Sequence, residues 1–215
     1  MQFKAAIFDL DGTLINSLED LADSMNTILK TLRYPEHKTE EYRYYVGNGI
    51  RNLVKAALPE EVLTDNIVDD CYKMMMELYT VNCINKTKPY DGIACLLDEL
   101  KGMNIKLAVL SNKAAELTGK IVNILFPGCF DIVMGLTPEI KRKPDPEGAL
   151  KISRLFEVNP PNIIYAGDTN VDMETAVNAG MYGVGVLWGF RTKDELISSG
   201  AKEIIKHPGE LVNIF

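Results

Sequence analysis

The strand-forming segments of this 215-residue chain are divided unevenly. One apolar, β-favouring run spans Phe3 to Phe8 and ends at Asp9, as a buried central strand would. Every other strand-like run follows residue 89, and nothing between 17 and 82 has a strand pattern. Helical spacing governs that interval instead. Leu18, Leu21, Met25, Ile28, Leu29 and Leu32 recur on one face until Tyr34-Pro35 stops the run. Thr39 predicts the start of a helix reaching Val46, which Gly47-Asn48-Gly49 breaks. Ile50, Leu53, Val54 and Ala57 then restart one. A last helix is predicted from Thr64 to Val81, with the Met74-Met75-Met76 run read as packing material.

After a linker at Asn85 to Pro89 the pattern alternates. Helices at Ile93 to Lys101 and Glu116 to Leu125 lead to strands at Lys106 to Leu110 and Ile132 to Met134. A helix opened by Pro146 leads to a strand at Ile163 to Ala166. One at Met173 to Asn178, stopped by Ala179-Gly180, leads to a strand at Tyr182 to Val186. Such alternation implies an α/β fold: a parallel sheet with helices on both faces. The all-helical block must then be inserted just after the first strand. The expected division is a core of residues 1–15 and 86–215 and a helical domain of residues 16–85.

Charge narrows the partners. The formal net charge is -7, which gives no general attraction for nucleic acid or an anionic membrane. An anionic substrate must therefore be held by a few local cations or a metal ion. The four cysteines are widely spaced, with no C-x-x-C, and His37 and His207 stand in no zinc-like pattern; both histidines are expected at the surface. With no leader-like segment and no apolar stretch near the roughly 20 residues that span a bilayer, the expected location is the cytoplasm.

In parallel sheets ligands bind beyond the carboxyl ends of the strands. The first strand is followed by Asp9-Leu10-Asp11-Gly12-Thr13, and the strand ending at Leu110 by Ser111-Asn112-Lys113. Lys143-Pro144 precedes the helix opened by Pro146, and Gly167-Asp168 through Asp172 follow the strand ending at Ala166. Four carboxylates, a hydroxyl and an ammonium would converge on one sheet edge. Crowded carboxylates repel, and a hard divalent ion with oxygen ligands resolves the conflict; Mg²⁺ is the usual choice beside phosphate. Two carboxylates two residues apart can divide the work, one attacking phosphorus and the other moving protons.

These four segments, in this order, resemble the motifs of the haloacid dehalogenase superfamily of phosphotransferases. The resemblance covers nearly the whole chain and implies a Rossmann-like sheet with an inserted helical cap. It also implies roles. Asp9 would be the nucleophile that becomes aspartyl phosphate, and Asp11 the group that protonates the leaving oxygen and then activates water. Ser111 and Lys143 would bind the phosphoryl group. Asp9, the main-chain carbonyl of Asp11, and Asp168 would hold Mg²⁺. Asp172 would support the metal or orient Lys143, or cap the helix that begins there. Thr13 and the amides near Leu10 and Asn112 would complete the phosphate cradle.

The helical insertion and the tail from Trp188 through Pro208 resemble the phosphoglycolate phosphatase group. Within it, Val46 to Arg51 resembles a cap loop that dips toward substrate, so Asn48, Gly49 and Arg51 are expected to bind it. Gly135-Leu136-Thr137 departs from the group in lacking an acidic residue. The expected partner is a small-molecule phosphate ester; monomer and homodimer stay open. A β-phosphoglucomutase-type transferase and an inorganic pyrophosphatase of the same fold remain alternatives. A metal-free dehalogenase is disfavoured by Asp11, and a binding module without turnover by the completeness of the motifs.

Overall fold

The computed structural model describes residues 3–215. Six strands form one sheet: β1 (Ala5–Phe8), β2 (Lys106–Ala114), β3 (Ile132–Leu136), β4 (Ile163–Gly167), β5 (Tyr182–Val186) and β6 (Glu203–Ile205). Their order is β3-β2-β1-β4-β5-β6, and every pairing is parallel. β1 is central, with Ala5–Phe8 in register with Lys106–Val109 on one side and Ile163–Ala166 on the other. All four of its residues are buried, which is why it is uniformly apolar rather than alternating. The chain starts in the middle of the sheet and winds outward both ways, so the ends of β1, β2 and β4 meet where the strand order reverses. That reversal is the crevice in which such sheets bind ligands.

The described residues form eight α-helices: α1 (Leu18–Thr31), α2 (Ile50–Ala57), α3 (Asp65–Asn82), α4 (Ile93–Gly102), α5 (Ala115–Leu125), α6 (Glu147–Phe156), α7 (Asn170–Ala179) and α8 (Lys193–Ser198). The chain divides into two compact units. One runs to Asn16 and resumes over Pro89–Phe215; the other is Ser17–Lys88. In the first, Ala5, Ile7, Ala108 and Tyr165 of the sheet bury against Ala149 and Ile152 of α6 and Ala176 of α7. The second holds α1 to α3 and contains no strand of the six-stranded sheet. Among the described residues no helix is long and apolar enough to cross a membrane.

Four local features differ from the sequence expectations. The segment opened by Thr39 is a 3-10 helix, Thr39–Tyr44, rather than an α-helix reaching Val46. Its fully buried Tyr42 donates to Asn26 Oδ1 at 2.7 Å, a tertiary contact that the tighter turn accommodates. His37 is not a surface residue: it is half-buried, its Nε2 lies 2.8 Å from the carbonyl of Ala57, and its ring packs edge-on to Tyr42 and Tyr45. Strand β2 continues to Ala114 instead of ending at Leu110, with a register shift between the two. The edge strand β6 was not anticipated, since three residues are too few for periodicity to be read.

The helical unit is closed by one buried carboxylate. Asp20 of α1 accepts bonds from the amides of Lys86 (3.0 Å) and Thr87 (2.8 Å) and from the Thr87 hydroxyl (2.7 Å). It is 3% exposed and ties the start of the unit to its return segment. Removing it leaves two amides and a hydroxyl without their acceptor, and each orphaned donor costs about 1–3 kcal/mol where water does not replace it. Asp20→Ala is therefore expected to lower unfolding stability by about 3 kcal/mol in a urea titration. A change below about 0.5 kcal/mol would show that the clasp contributes nothing.

Candidate active site

The amide of Asp9 donates to the carbonyl of Ala166 at 3.0 Å, so β1 and β4 stay paired to the point where Asp9 projects. The chain then folds back tightly: Leu14 and Ile15 both donate to the carbonyl of Leu10, at 3.0 and 3.1 Å, and Gly12 donates to Ile15 at 2.9 Å. Gly12 has φ +93°, a backbone conformation that disfavours any side chain. This turn presents Asp9, Asp11 and Thr13, all buried, at the sheet edge.

Lys143 is the hub of the cluster. Its side chain is 4% exposed, and its Nζ donates to Asp9 Oδ1 (2.7 Å), Asp172 Oδ1 (2.7 Å) and the carbonyl of Leu110 (3.1 Å). Three acceptors match the three protons of an ammonium. Asn112 fixes the lysine's main chain from β2, accepting from its amide at 2.8 Å and donating to its carbonyl at 3.2 Å. The neighbouring Lys141 is exposed and pairs with Asp145, so only one lysine of the Lys141-Arg142-Lys143 run is drawn into the cluster by these contacts.

Asp172 performs two tasks at once. Its Oδ1 meets Lys143, while its Oδ2 accepts from the amide (3.0 Å) and hydroxyl (2.6 Å) of Thr169. Thr169 is the N-cap of α7 and Asp172 the third helical residue, a reciprocal capping box rather than a cap by Asp172 itself. Asp168 is fully buried. It accepts from the Thr13 hydroxyl (3.0 Å) and from the amide of Phe190 (2.8 Å). The Trp188 indole donates to the carbonyl of Thr13 at 2.9 Å. Between them, a methyl on Gly189 would overlap the Asp168 side chain and the carbonyl of Gly12, so only glycine allows this loop to clasp the site.

One ligand oxygen from each of Asp9, Asp168 and Asp172 lies within 4.8 Å of the others, all buried. Burial, and then the charge of Asp172, push the Asp9 carboxyl up to about 7 against the pull of Lys143. Burial and the charges of Asp172 and Asp9 raise Asp168 well above its ordinary range. Burial disfavours the Lys143 ammonium, but Asp172 and Asp9 outweigh it and hold its pKa well above normal. Were all three carboxylates ionised, one ammonium would leave two negative charges unmatched in this buried site. The donor set is all oxygen, so it fits a hard divalent cation, with Mg²⁺ favoured over softer metals.

The side chain of Asp11 stands outside this triad. It faces Lys113, whose Nζ is 2.7 Å from Asp11 Oδ1, with the lysine side chain 3% exposed. Ser111 is buried beside it in the irregular end of β2, and its Oγ accepts from the amide of Lys113 at 3.2 Å. Asn48, Gly49 and Arg51 belong to the helical unit, where Gly49 precedes α2. Arg51 already meets Asp69 at 2.8 Å and Asp65 at 3.6 Å. Sequence reasoning missed Lys113 and the Gly189-Phe190 clasp. A count of charges would have pointed to Lys113, because four converging acids need more than one cation.

The description "Haloacid dehalogenase-like hydrolase" belongs to a family whose pattern matches residues 6–186. The phosphoglycolate phosphatase of Aquifex aeolicus is 36% identical over 188 residues, covering 87% of this chain and 86% of that protein. The N-acetylmuramic acid 6-phosphate phosphatase of Pseudomonas aeruginosa is 27% identical over 216 residues, covering 100% and 95%. A crystal structure from Lactobacillus delbrueckii subsp. bulgaricus superposes with a TM-score of 0.93 at 29% identity, covering 100% of this chain and 98% of that one.

Proposed function

This chain belongs to the haloacid dehalogenase-like hydrolase family, and we propose that within it the chain is a magnesium-dependent phosphatase acting on a small phosphomonoester through a phospho-aspartate. The observation that carries this reading is the convergence of the buried Asp9, Asp168 and Asp172 carboxylates at the end of the central strand, with Lys143 bonded to Asp9 and Asp172. Asp9 attacks phosphorus, the ester P–O bond breaks, and Asp11 gives its proton to the leaving oxygen. Asp11 then takes a proton from water, whose oxygen attacks phosphorus. The acyl phosphate P–O bond breaks, which returns the Asp9 carboxylate and releases inorganic phosphate. Lys143 and the Ser111 hydroxyl hold the equatorial oxygens, where negative charge must be offset during transfer. Asp9, Asp168 and Asp172, with the carbonyl of Asp11, would hold the cation, which supplies charge neutralisation to the phosphate and keeps the carboxylates from repelling one another.

Substrate choice falls to the helical unit, because the core recognises phosphate alone. The phosphoglycolate phosphatase relatives favour a small acidic ester, while the relative that acts on a sugar phosphate keeps a hexose phosphate in view. Asn48 and Gly49 lie where a loop gives way to α2, and Arg51 follows in its first turn. Arg51 is bound by Asp69 and Asp65, so a substrate carboxylate would have to displace them; Lys55, one turn further and exposed, is the second cation of that segment. The test is phosphate release from phosphoglycolate, pyrophosphate, hexose phosphates and nucleoside monophosphates with Mg²⁺. Turnover is expected to vanish in excess chelator and to return with Mg²⁺. Undiminished release in chelator would overturn the metal-dependent reading, and preference for pyrophosphate would overturn the phosphomonoester.

A further inference from the structure

Lys113 has no part in the chemistry described so far. Its buried ammonium sits 2.7 Å from Asp11 Oδ1, and the Asp11 side chain is 11% exposed. Burying such a pair costs more in desolvation than well-packed apolar residues of similar size would, so stability alone is a poor reason for it. The lysine's main chain is itself fixed. Its amide donates to Ser111 Oγ at 3.2 Å, and its carbonyl accepts from Thr118 of α5 at 3.3 Å. An anchored cation thus grips one oxygen of a carboxylate carried on the tight turn after β1.

We propose that Lys113 is a positioning residue for Asp11: by holding Oδ1 it turns Oδ2 toward the ester oxygen that must receive a proton. The proposal rests on the reading of Asp11 as the group that moves protons. An unanchored carboxylate samples several rotamers, and a misplacement of about 1 Å at a reacting group costs about 10²-fold in rate. The competing role, direct contact of Lys113 with the transferring phosphoryl group, makes opposite predictions.

The ratio kcat/KM contains only steps up to departure of the leaving group. An alkyl phosphate needs the proton from Asp11, whereas p-nitrophenyl phosphate leaves as a stable phenolate. Lys113→Met is expected to lower kcat/KM by about 10²-fold for the best alkyl phosphate and by less than about threefold for the aryl ester. Inhibition by inorganic phosphate should stay unchanged, and Lys113→Arg should recover part of the alkyl activity. In an Asp11→Asn background, Lys113→Met should cause no further loss. That double variant removes both charges, so it is read against Asp11→Asn if the single variant does not fold. Equal losses on both esters, weakened inhibition by phosphate, or a further loss in the Asp11→Asn background would each overturn the proposal. A wild type that cleaves neither ester with Mg²⁺ would instead overturn the phosphatase reading, and this proposal with it.

Discussion

An Asp9→Asn protein is expected to release phosphate about 10⁴-fold more slowly than the wild type, or worse, on every ester tested. Asparagine keeps the size of the side chain and an oxygen for Lys143, which stands 2.7 Å from Asp9 Oδ1, so the fold should survive. What disappears is the attacking charge. The same change should stabilise the metal-free protein at pH 8. Burial and Asp172 raise the Asp9 carboxyl from 3.8 to about 7. A carboxyl raised on folding contributes stability below its unfolded value and loses it as the pH climbs to its folded one. The wild type without metal should therefore weaken between about pH 4 and 7 at this position, and the variant should not. Substantial turnover by Asp9→Asn would place the nucleophile elsewhere.

Lys143→Met is expected to remove nearly all activity and to unsettle the fold as well. The ammonium is the shared partner of Asp9 and Asp172. Breaking a buried charge pair from one side costs about 3–5 kcal/mol, because the remaining charge is left uncompensated. For a chain of this size that corresponds to a fall of about 10 °C in the thermal midpoint without metal. Mg²⁺ should recover much of that stability, since it offsets the same carboxylates, but it should not restore turnover, which also needs the lysine on the phosphoryl oxygens. A variant with unchanged stability and activity would remove Lys143 from the centre of the site.

How far the site could be read in advance depended on how locally each residue is placed. Asp9, Ser111 and Asp168 stand at the ends of apolar segments, and in a parallel sheet every such end faces one edge, so their convergence follows from topology; Lys143 lies in the loop between β3 and α6 and was legible through the Lys-Pro pair of the family resemblance. Asp172 was legible as a helix-start residue, and its contact with Lys143 as one of the roles that the family resemblance offered; that one carboxylate both closes the capping box with Thr169 and grips Lys143 needs the fold to bring residue 143 beside residue 172. Lys113 was legible only through a count of charges, not through its place in the chain. It directly follows the Ser-Asn pair and reads as a loop lysine. Only the continuation of β2 past a register shift buries it against Asp11. The Gly189-Phe190 clasp escaped for a related reason, because its partner Asp168 lies about one strand and one helix earlier in the chain. In the helical unit, burial of Tyr42 and its bond to Asn26 turned an expected α-helix into a 3-10 turn, a tertiary effect with no local sign.

The central claim is that phosphate passes through Asp9. Asp11→Asn leaves the nucleophile intact but removes the group that activates water, so an aryl phosphate should phosphorylate the protein faster than the adduct hydrolyses. Intact-protein mass spectrometry of Asp11→Asn, quenched in acid after mixing with p-nitrophenyl phosphate and Mg²⁺, measures this directly. The account predicts a gain of one phosphoryl group, mapped to the peptide containing Asp9 and absent from Asp9→Asn/Asp11→Asn. Release of p-nitrophenol without any gain in mass, or a phosphoryl group on another residue, would contradict it.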